Sequence, residues 1–422
     1  MNIYKKTPLS IILMVVCFLT ACSPVVTPAP NLATSATEAQ PTETSAPKVE
    51  YTPTYVPTAT TQAHSDNLTR DCAKIISGPP SDVQLAGLLV IKPYEDRASS
   101  YLLDLSTGNK TSLGRSFRET VSPNGKLLAY ADLDTGSIVI ADNTGKKIRT
   151  VPDPDERLNP AYWLDNQHLS LDHRQGEFGG PYMVSSMITL DPLTGNMQEQ
   201  MPEFPNLDTF FSPLGWAVST RFLINPELTH VIYQAREDYG SLLILWDINA
   251  KKEIARIPGV HVETPWWSPD GTKIVIGLVP KYIKDDNLPF VDGGDLFTLD
   301  ATGKFERLTY LTTVHYAVEM SYTWSPDGKS IAFMLQVAPD NKNIANAVPE
   351  LSILDMETRQ VTNLCIPGGG LTWSPDGKYM LINQGLNDGK EKNEVYLVDL
   401  ENKSAWKVAE NAEGRGWMIE QP

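Results

Sequence analysis

The sequence predicts an all-β repeat fold, and two recurring elements carry the prediction. The first is an apolar strand that runs into an aspartate. It occurs seven times: SSYLLDLSTG (strand ending on Asp104), GSIVIADNTG (Asp142), SSMITLDPLTG (Asp191), SLLILWDINAK (Asp247), GDLFTLDATG (Asp300), PELSILDMETR (Asp355) and NEVYLVDLENK (Asp399). From Asp104 to Asp399 is 295 residues in six steps, a mean period near 49. The second element is a strand, a tight turn and a strand. It reads VSPNGKLLAY from Val121, INPELTHVIY from Ile224, WSPDGTKIVI from Trp267, WSPDGKSIAF from Trp324 and WSPDGKYMLI from Trp373, with a degenerate copy, YWLDNQHLSL, from Tyr162. Strand-rich, helix-poor repetition at this period predicts a β-propeller.

Each unit reads as strand A, the SPDG turn, strand B, a variable loop, strand C ending in Asp, a short hairpin and strand D. Proline presets φ at the first turn position, Asp or Asn caps the turn, and Gly takes the positive-φ position. The tryptophan before the turn supplies bulk between neighbouring blades. The strand-C aspartates recur in every unit just before a hairpin, which marks them as turn caps and not as a catalytic ring. The first unit, from Leu88, has strands B, C and D but no strand A. The chain ends in GRGWMIEQP, an orphan strand with Trp417 at the strand-A position. Joining the two gives a seven-bladed propeller closed by a C-terminal strand, with no exposed sheet edge at the seam.

These turns and strands resemble the TolB-type, WD-repeat-like propeller repeats, whose hallmark is WSPDG. The resemblance spans residues 84–422. It implies the fold and an envelope scaffold, although the separate N-terminal domain of that family is replaced here by linker. It does not specify a function, because propellers host unrelated activities.

Ahead of the repeats lie two segments of different character. Lys5 and Lys6 precede an apolar run from Ile11 to Leu19, followed by Leu19-Thr20-Ala21-Cys22. That is the layout of an export signal over residues 1–21, too short to span a bilayer comfortably. It resembles the lipobox of bacterial lipoproteins, which implies that Cys22 is lipidated. Residues 22–66 then form a linker: Ser, Thr, Pro and Ala fill 28 of the 44 positions 23–66. Such a segment cannot bury enough apolar surface to fold, and its prolines extend it at ~3 Å per residue, to roughly 100 Å. The propeller occupies residues 67–422.

Charge and cysteines narrow the setting. The chain carries 35 basic and 51 acidic residues, a net −16, and removal of the signal takes away two lysines. So acidic a surface argues against nucleic acid and against electrostatic docking on anionic lipids, leaving an acyl chain as the membrane attachment. Of four cysteines, Cys17 leaves with the signal and Cys22 is the anchor. Cys72 and Cys365 remain, either as a disulfide or as two buried thiols, and an exported chain favours the disulfide.

The inventory for catalysis is thin. There is no GxSxG elbow, HExxH, CxxC, P-loop or EF-hand loop. His168 and His173 fall on either side of a strand, so they are not expected to share a metal. Asp132 with Asp134, and Asp285 with Asp286, are short acidic loops without a cage. No catalytic residue, metal or cofactor is assigned. The long connections all fall between strands B and C or D and A, on one face, where binding evolves most readily. They carry Phe178, Tyr182, Trp216, Tyr239, Tyr282, Asp285, Asp286 and Phe290. Aromatics beside charges suit a protein, peptide or glycan surface. The expectation is a monomeric, lipid-anchored binding or scaffold protein of the cell envelope, its head periplasmic or extracellular. The alternative is a propeller-fold lyase or hydrolase acting on carbohydrate at the central tunnel.

Overall fold

Each repeated segment folds as a strand, because its apolar, β-branched run suits a pleated surface buried on both sides. The computed structural model describes residues 68–81, 83, 85–153, 155, 158–175, 183–200, 222–237, 240–258, 266–278, 294–314, 316–337, 348–385 and 393–419. Two short strands come first, β1 (Leu68–Arg70) and β2 (Lys74–Ile75). There follow β3 (Leu88–Pro93), β4 (Ser99–Asp104), β5 (Lys110–Val121), β6 (Leu127–Asp132), β7 (Ser137–Asp142) and β8 (Lys147–Pro152). The next two groups are β9 (Leu158–Trp163), β10 (Leu169–Gln175), β11 (Met183–Leu190), β12 (Met197–Gln200), and β13 (Phe222–Ile224), β14 (His230–Glu237), β15 (Gly240–Asp247), β16 (Lys252–Pro258). Then come β17 (Trp266–Trp267), β18 (Lys273–Leu278), β19 (Asp295–Asp300), β20 (Phe305–Arg307), and β21 (Tyr316–Trp324), β22 (Ser330–Val337), β23 (Pro349–Asp355), β24 (Val361–Pro367). The last are β25 (Gly369–Trp373), β26 (Tyr379–Gly385), β27 (Asn393–Asp399), β28 (Ser404–Glu410) and β29 (Ala412–Met418). Among the described residues the one helical turn is a 3-10 turn at Leu311–Val314.

Five groups, β9 to β12, β13 to β16, β17 to β20, β21 to β24 and β25 to β28, are four-stranded antiparallel meanders in chain order. A seven-stranded sheet, ordered β29-β3-β4-β5-β6-β7-β8, is two such meanders sharing the 12-residue β5. Its first half pairs with β4 and its second with β6, across a bulge between Phe117 and Thr120. A continuous strand thus stands where the repeat predicts a separate strand D and strand A. At the other end of this sheet, β29 pairs antiparallel with β3, setting Trp417 opposite Leu89.

Side chains alternate across each strand, so each meander feeds two cores. Ile274 and Ile276 of β18 pack with Ile232, Leu243 and Leu245 of the preceding meander, whereas Val275 packs with Ile331, Phe333 and Leu335 of the following one. Cores of this kind join each meander to the next. One of them joins Leu381, Val395, Leu397 and Trp406 of the β25 to β28 meander to Leu89 and Ile91 of β3. Four-stranded meanders packed face to face in this way make the fold an all-β propeller.

The SPDG turns show why that tetrapeptide recurs. In WSPDG from Trp324, Ser325 Oγ donates to Asp327 Oδ1 (2.7 Å), which also accepts the Lys329 amide, while the Ser330 amide donates to Ser325 Oγ. Gly328 takes φ +70° and donates its amide to the Ser325 carbonyl. The tryptophan does more than fill space. Trp163, Trp267, Trp324 and Trp373 donate their indole N–H to carbonyls of Thr120, Leu223, Trp266 and Thr323 in the strand A of the preceding meander.

β1 and β2 carry no repeat signature in the sequence. They are parallel fifth strands on the outer edges of β24 and β28, with Leu68 opposite Val361 and Lys74 opposite Ser404. Between them Cys72 is bonded to Cys365 of β24, the Cα atoms 4.9 Å apart.

Candidate functional site

In an antiparallel meander the A–B and C–D connections leave from one end and the B–C and D–A connections from the other. Every A–B connection has five residues: 122–126, 164–168, 225–229, 268–272, 325–329 and 374–378. The C–D connections have four to six, as in 143–146 and 191–196. By contrast, the B–C segment 279–294 has 16 residues and the D–A segment 201–221 has 21. Of the predicted contact residues, Trp216 falls in 201–221, Tyr282, Asp285, Asp286 and Phe290 in 279–294, and Phe178 and Tyr182 in the seven-residue 176–182, whereas Tyr239, expected on a long connection, falls in the two-residue 238–239; all lie outside the described residues, as does Cys22.

Two buried carboxylates with several donors each are described at that end. Glu119 sits beside the β5 bulge with its side chain 1% exposed, paired with Lys92 Nζ at 2.9 Å. Ser100 Oγ and Ser116 Oγ donate to the same Glu119 oxygen at 2.6 and 2.8 Å. Burial alone would raise its pKa, but the hydrogen bonds from Ser100, Lys92 and Ser116 outweigh burial and hold it below the usual value. Asp295, fully buried at the start of β19, accepts from Thr309 Oγ1 (2.8 Å), the Leu311 amide (2.7 Å), Arg307 and Thr312. Both carboxylates tie a D–A connection to a strand end. Asp295 accepts on both of its oxygens, and Glu119 takes three donors on Oε1.

Around these carboxylates lie aromatic and cationic side chains. Phe117 is 40% exposed, with Lys92 Nζ 5.9 Å and the Arg118 guanidinium 5.6 Å from its ring centre. Arg118 has φ +54° and reaches across to Asp172 at 2.8 Å. A non-glycine residue in that region costs of order 1–3 kcal/mol and clusters at functional sites. Where β29 meets the first meander, Arg97 lies 5.0 Å from the Tyr94 ring. Burial raises the Tyr94 pKa first, then Glu413 raises it, while Arg97, Arg415 and a bond to Asn393 oppose them. Sequence reasoning missed this rim, because bulges and left-handed residues leave no compositional mark.

The remaining candidates resolve structurally. All seven strand-C aspartates cap their hairpins: Asp355 Oδ1, for example, accepts from the Glu357 and Thr358 amides and the Thr358 hydroxyl. Asp132 pairs with Lys147 and Asp134 with Arg115. His168 bonds Asp165, and His173 lies inside β10, not beyond its end as the sequence suggested. Among the described residues no three His, Cys, Asp or Glu are grouped to hold a metal. A cavity of about 430 Å³ opens at the opposite, SPDG end between Asp270, Lys273, Trp324, Asp327, Met356 and Arg359. Its Asp270 is spent on the turn, accepting from Ser268 and Thr272.

A scan against protein-family models and a search of curated proteins return no match. Solved structures do match. TolB from Acinetobacter baumannii is 14% identical, with 80% of this chain and 68% of that chain covered and a TM-score of 0.43. An oligogalacturonate lyase in complex with manganese is 14% identical over 76% and 85% of the two chains, with a TM-score of 0.46. The Myceliophteria thermophila Cps50 (Swd1) β-propeller domain is 11% identical over 80% and 98%, with a TM-score of 0.42. The strand pairings described above, and not these likenesses, define the fold.

Proposed function

We propose that this chain is a lipid-anchored binding or scaffold protein of the cell envelope, presenting the B–C and D–A face of a seven-bladed propeller to a protein, peptide or glycan. In this reading residues 1–21 direct export, Cys22 carries the lipid, residues 22–66 act as spacer, and residues 67–422 form the head. β29 supplies the innermost strand of the first blade and closes the ring. Closure is supported by the core between β3 and the last meander, and by the SPDG turns, where Gly125 of the second blade abuts Pro375 of the seventh.

The observation that carries the binding reading is the inequality of the two ends: uniform short turns at one, connections of up to 21 residues at the other. A rigid scaffold that concentrates its variable segments on one face concentrates its contacts there as well. Partners reading such a face depend on a few aromatic anchors, each worth ~2 kcal/mol or more when central. The test is capture from envelope extract by the full-length chain, comparing wild type with the double substitution Trp216→Ala, Tyr282→Ala. Loss of capture at an unchanged melting temperature is expected. Unchanged capture at unchanged stability would move the site elsewhere. Fractionation of Cys22→Ser tests the anchor: release to the soluble fraction is expected, and continued membrane association would refute lipidation.

A further inference from the structure

The segment 68–75 is held to the outer edges of two meanders by few interactions. Five residue pairs link it to β24 and β28. Its side chains make the Arg70–Glu350 pair at 3.2 Å, an Arg70 contact to Cys365 Sγ at 3.3 Å, an ion pair between Asp71 and Lys403 and a Gln360–Thr69 hydrogen bond at 2.9 Å, and Leu68 and Ala73 pack at the margins of two cores. Ile75 is 56% exposed. The one covalent attachment is the Cys72–Cys365 disulfide, whose Cys72 end is exposed. Beneath the segment, β21 to β24 and β25 to β28 are complete meanders with their own cores. With the disulfide opened, the strap is held only by edge-strand pairing, these side-chain contacts and marginal apolar packing.

We propose that the outer edges of β24 and β28 form a strand-acceptor site for the 68–75 segment of a second copy of this chain, opened by reduction of Cys72–Cys365. Every contact that the strap makes with its own propeller is available, unaltered, to the strap of another copy, which is the condition for exchange of an identical element. The connection permits it. Twelve residues, 76–87, separate β2 from β3 and include Pro79 and Pro80. Extended at ~3.3 Å per residue they reach roughly 40 Å, enough to bridge two heads. A small dithiol supplies the chemistry: its two electrons and two protons convert the disulfide to two thiols while it closes to its own disulfide. Glutathione disulfide reverses the step, accepting those electrons and protons as two glutathione thiols form. This reading is independent of which face binds a partner.

The experiment uses full-length chain in detergent, one batch isotopically heavy and one light. The batches are mixed, reduced with dithiothreitol, re-oxidised with glutathione disulfide at high and at low protein concentration, and digested for mass spectrometry. The expected result is a Cys72–Cys365 peptide pair of mixed isotope, approaching half of all linked pairs in the dimer fraction at high concentration and vanishing at low concentration. A second arm mixes Arg70→Glu chain with Glu350→Arg chain, in which each strap is repelled by its own propeller and both pairs are restored only by exchange. Heterodimers should then exceed the wild-type dimer yield several-fold. Absence of mixed pairs under all conditions would overturn the proposal. So would loss of the near-ultraviolet circular dichroism on reduction, since the strap would then not be separable from the fold.

Discussion

Gly125 and Gly328 occupy the same position of the SPDG-type turn, with φ of +70° in both, yet alanine should be tolerated very differently at the two. Left-handed backbone costs a non-glycine residue roughly 1–2 kcal/mol, so both substitutions carry that penalty. At Gly328 an added Cβ lies 3.7 Å from Pro269 Cδ, an ordinary contact, and nothing more is lost. At Gly125 it lies 2.7 Å from Pro375 Cγ and 3.0 Å from the backbone nitrogen of Ile419, so the turn or its neighbours must shift. Overpacking of that kind costs a further 1–3 kcal/mol or so. Gly328→Ala should thus destabilise by about 1–2 kcal/mol and Gly125→Ala by about 2–5 kcal/mol, read by denaturant unfolding at constant m-value. Pro375→Ala removes the clashing Cγ, so a double-mutant cycle with Gly125→Ala should show coupling of about 1 kcal/mol. Equal costs at the two glycines, with no coupling to Pro375, would refute the placement of the last blade's turn against the second.

Three further outcomes follow from the same geometry. Glu119→Ala leaves the buried Lys92 ammonium without its countercharge, with only the Ser116 carbonyl to accept from it, and should cost about 3–5 kcal/mol in an unfolding titration. Deleting residues 412–422 removes Trp417 and Met418, 4% and 0% exposed, and bares the edge of β3; the truncated protein should melt well below the intact one, and equal melting would disprove closure by β29. In acid, the Thr358 amide and hydroxyl hold Asp355 below its ordinary pKa, as the Ser106 and Thr107 hydroxyls do for Asp104. A depressed folded-state pKa contributes stability that is present above the unfolded value near 4 and lost as pH falls through the folded value. Stability from these caps should therefore be flat above about pH 5 and decline below about pH 4, and Asp355→Asn, which keeps an acceptor that does not titrate, should shallow that decline.

How far the sequence announced the structure depends on whether a feature is periodic. The four-strand unit was legible because both faces of each strand are buried, so KIVIGL and its counterparts read as unbroken apolar runs. The SPDG turn was legible because Ser, Asp and Gly each perform a local task that other residues do poorly. The strap was not, because LTRDCAKI is mostly exposed and its pairing is fixed by strands roughly 290 and 330 residues away. The single β5 was not either: its bulge at Phe117 to Thr120 depends on Glu119 finding Ser100 and Lys92. The charged and aromatic rim of Tyr94, Arg97, Phe117 and Arg118 escaped for the same reason, since tertiary contacts and not neighbours in sequence hold it in place.

The most direct test of the account is amide hydrogen exchange on the full-length chain, free and bound to the partner it captures. The account predicts slowed exchange in the B–C and D–A connections and in the rim segments 94–98, 116–119 and 413–415, with 122–126, 268–272, 325–329 and 374–378 unchanged. Protection confined to the SPDG turns would contradict it and move the binding surface to the opposite end of the blades.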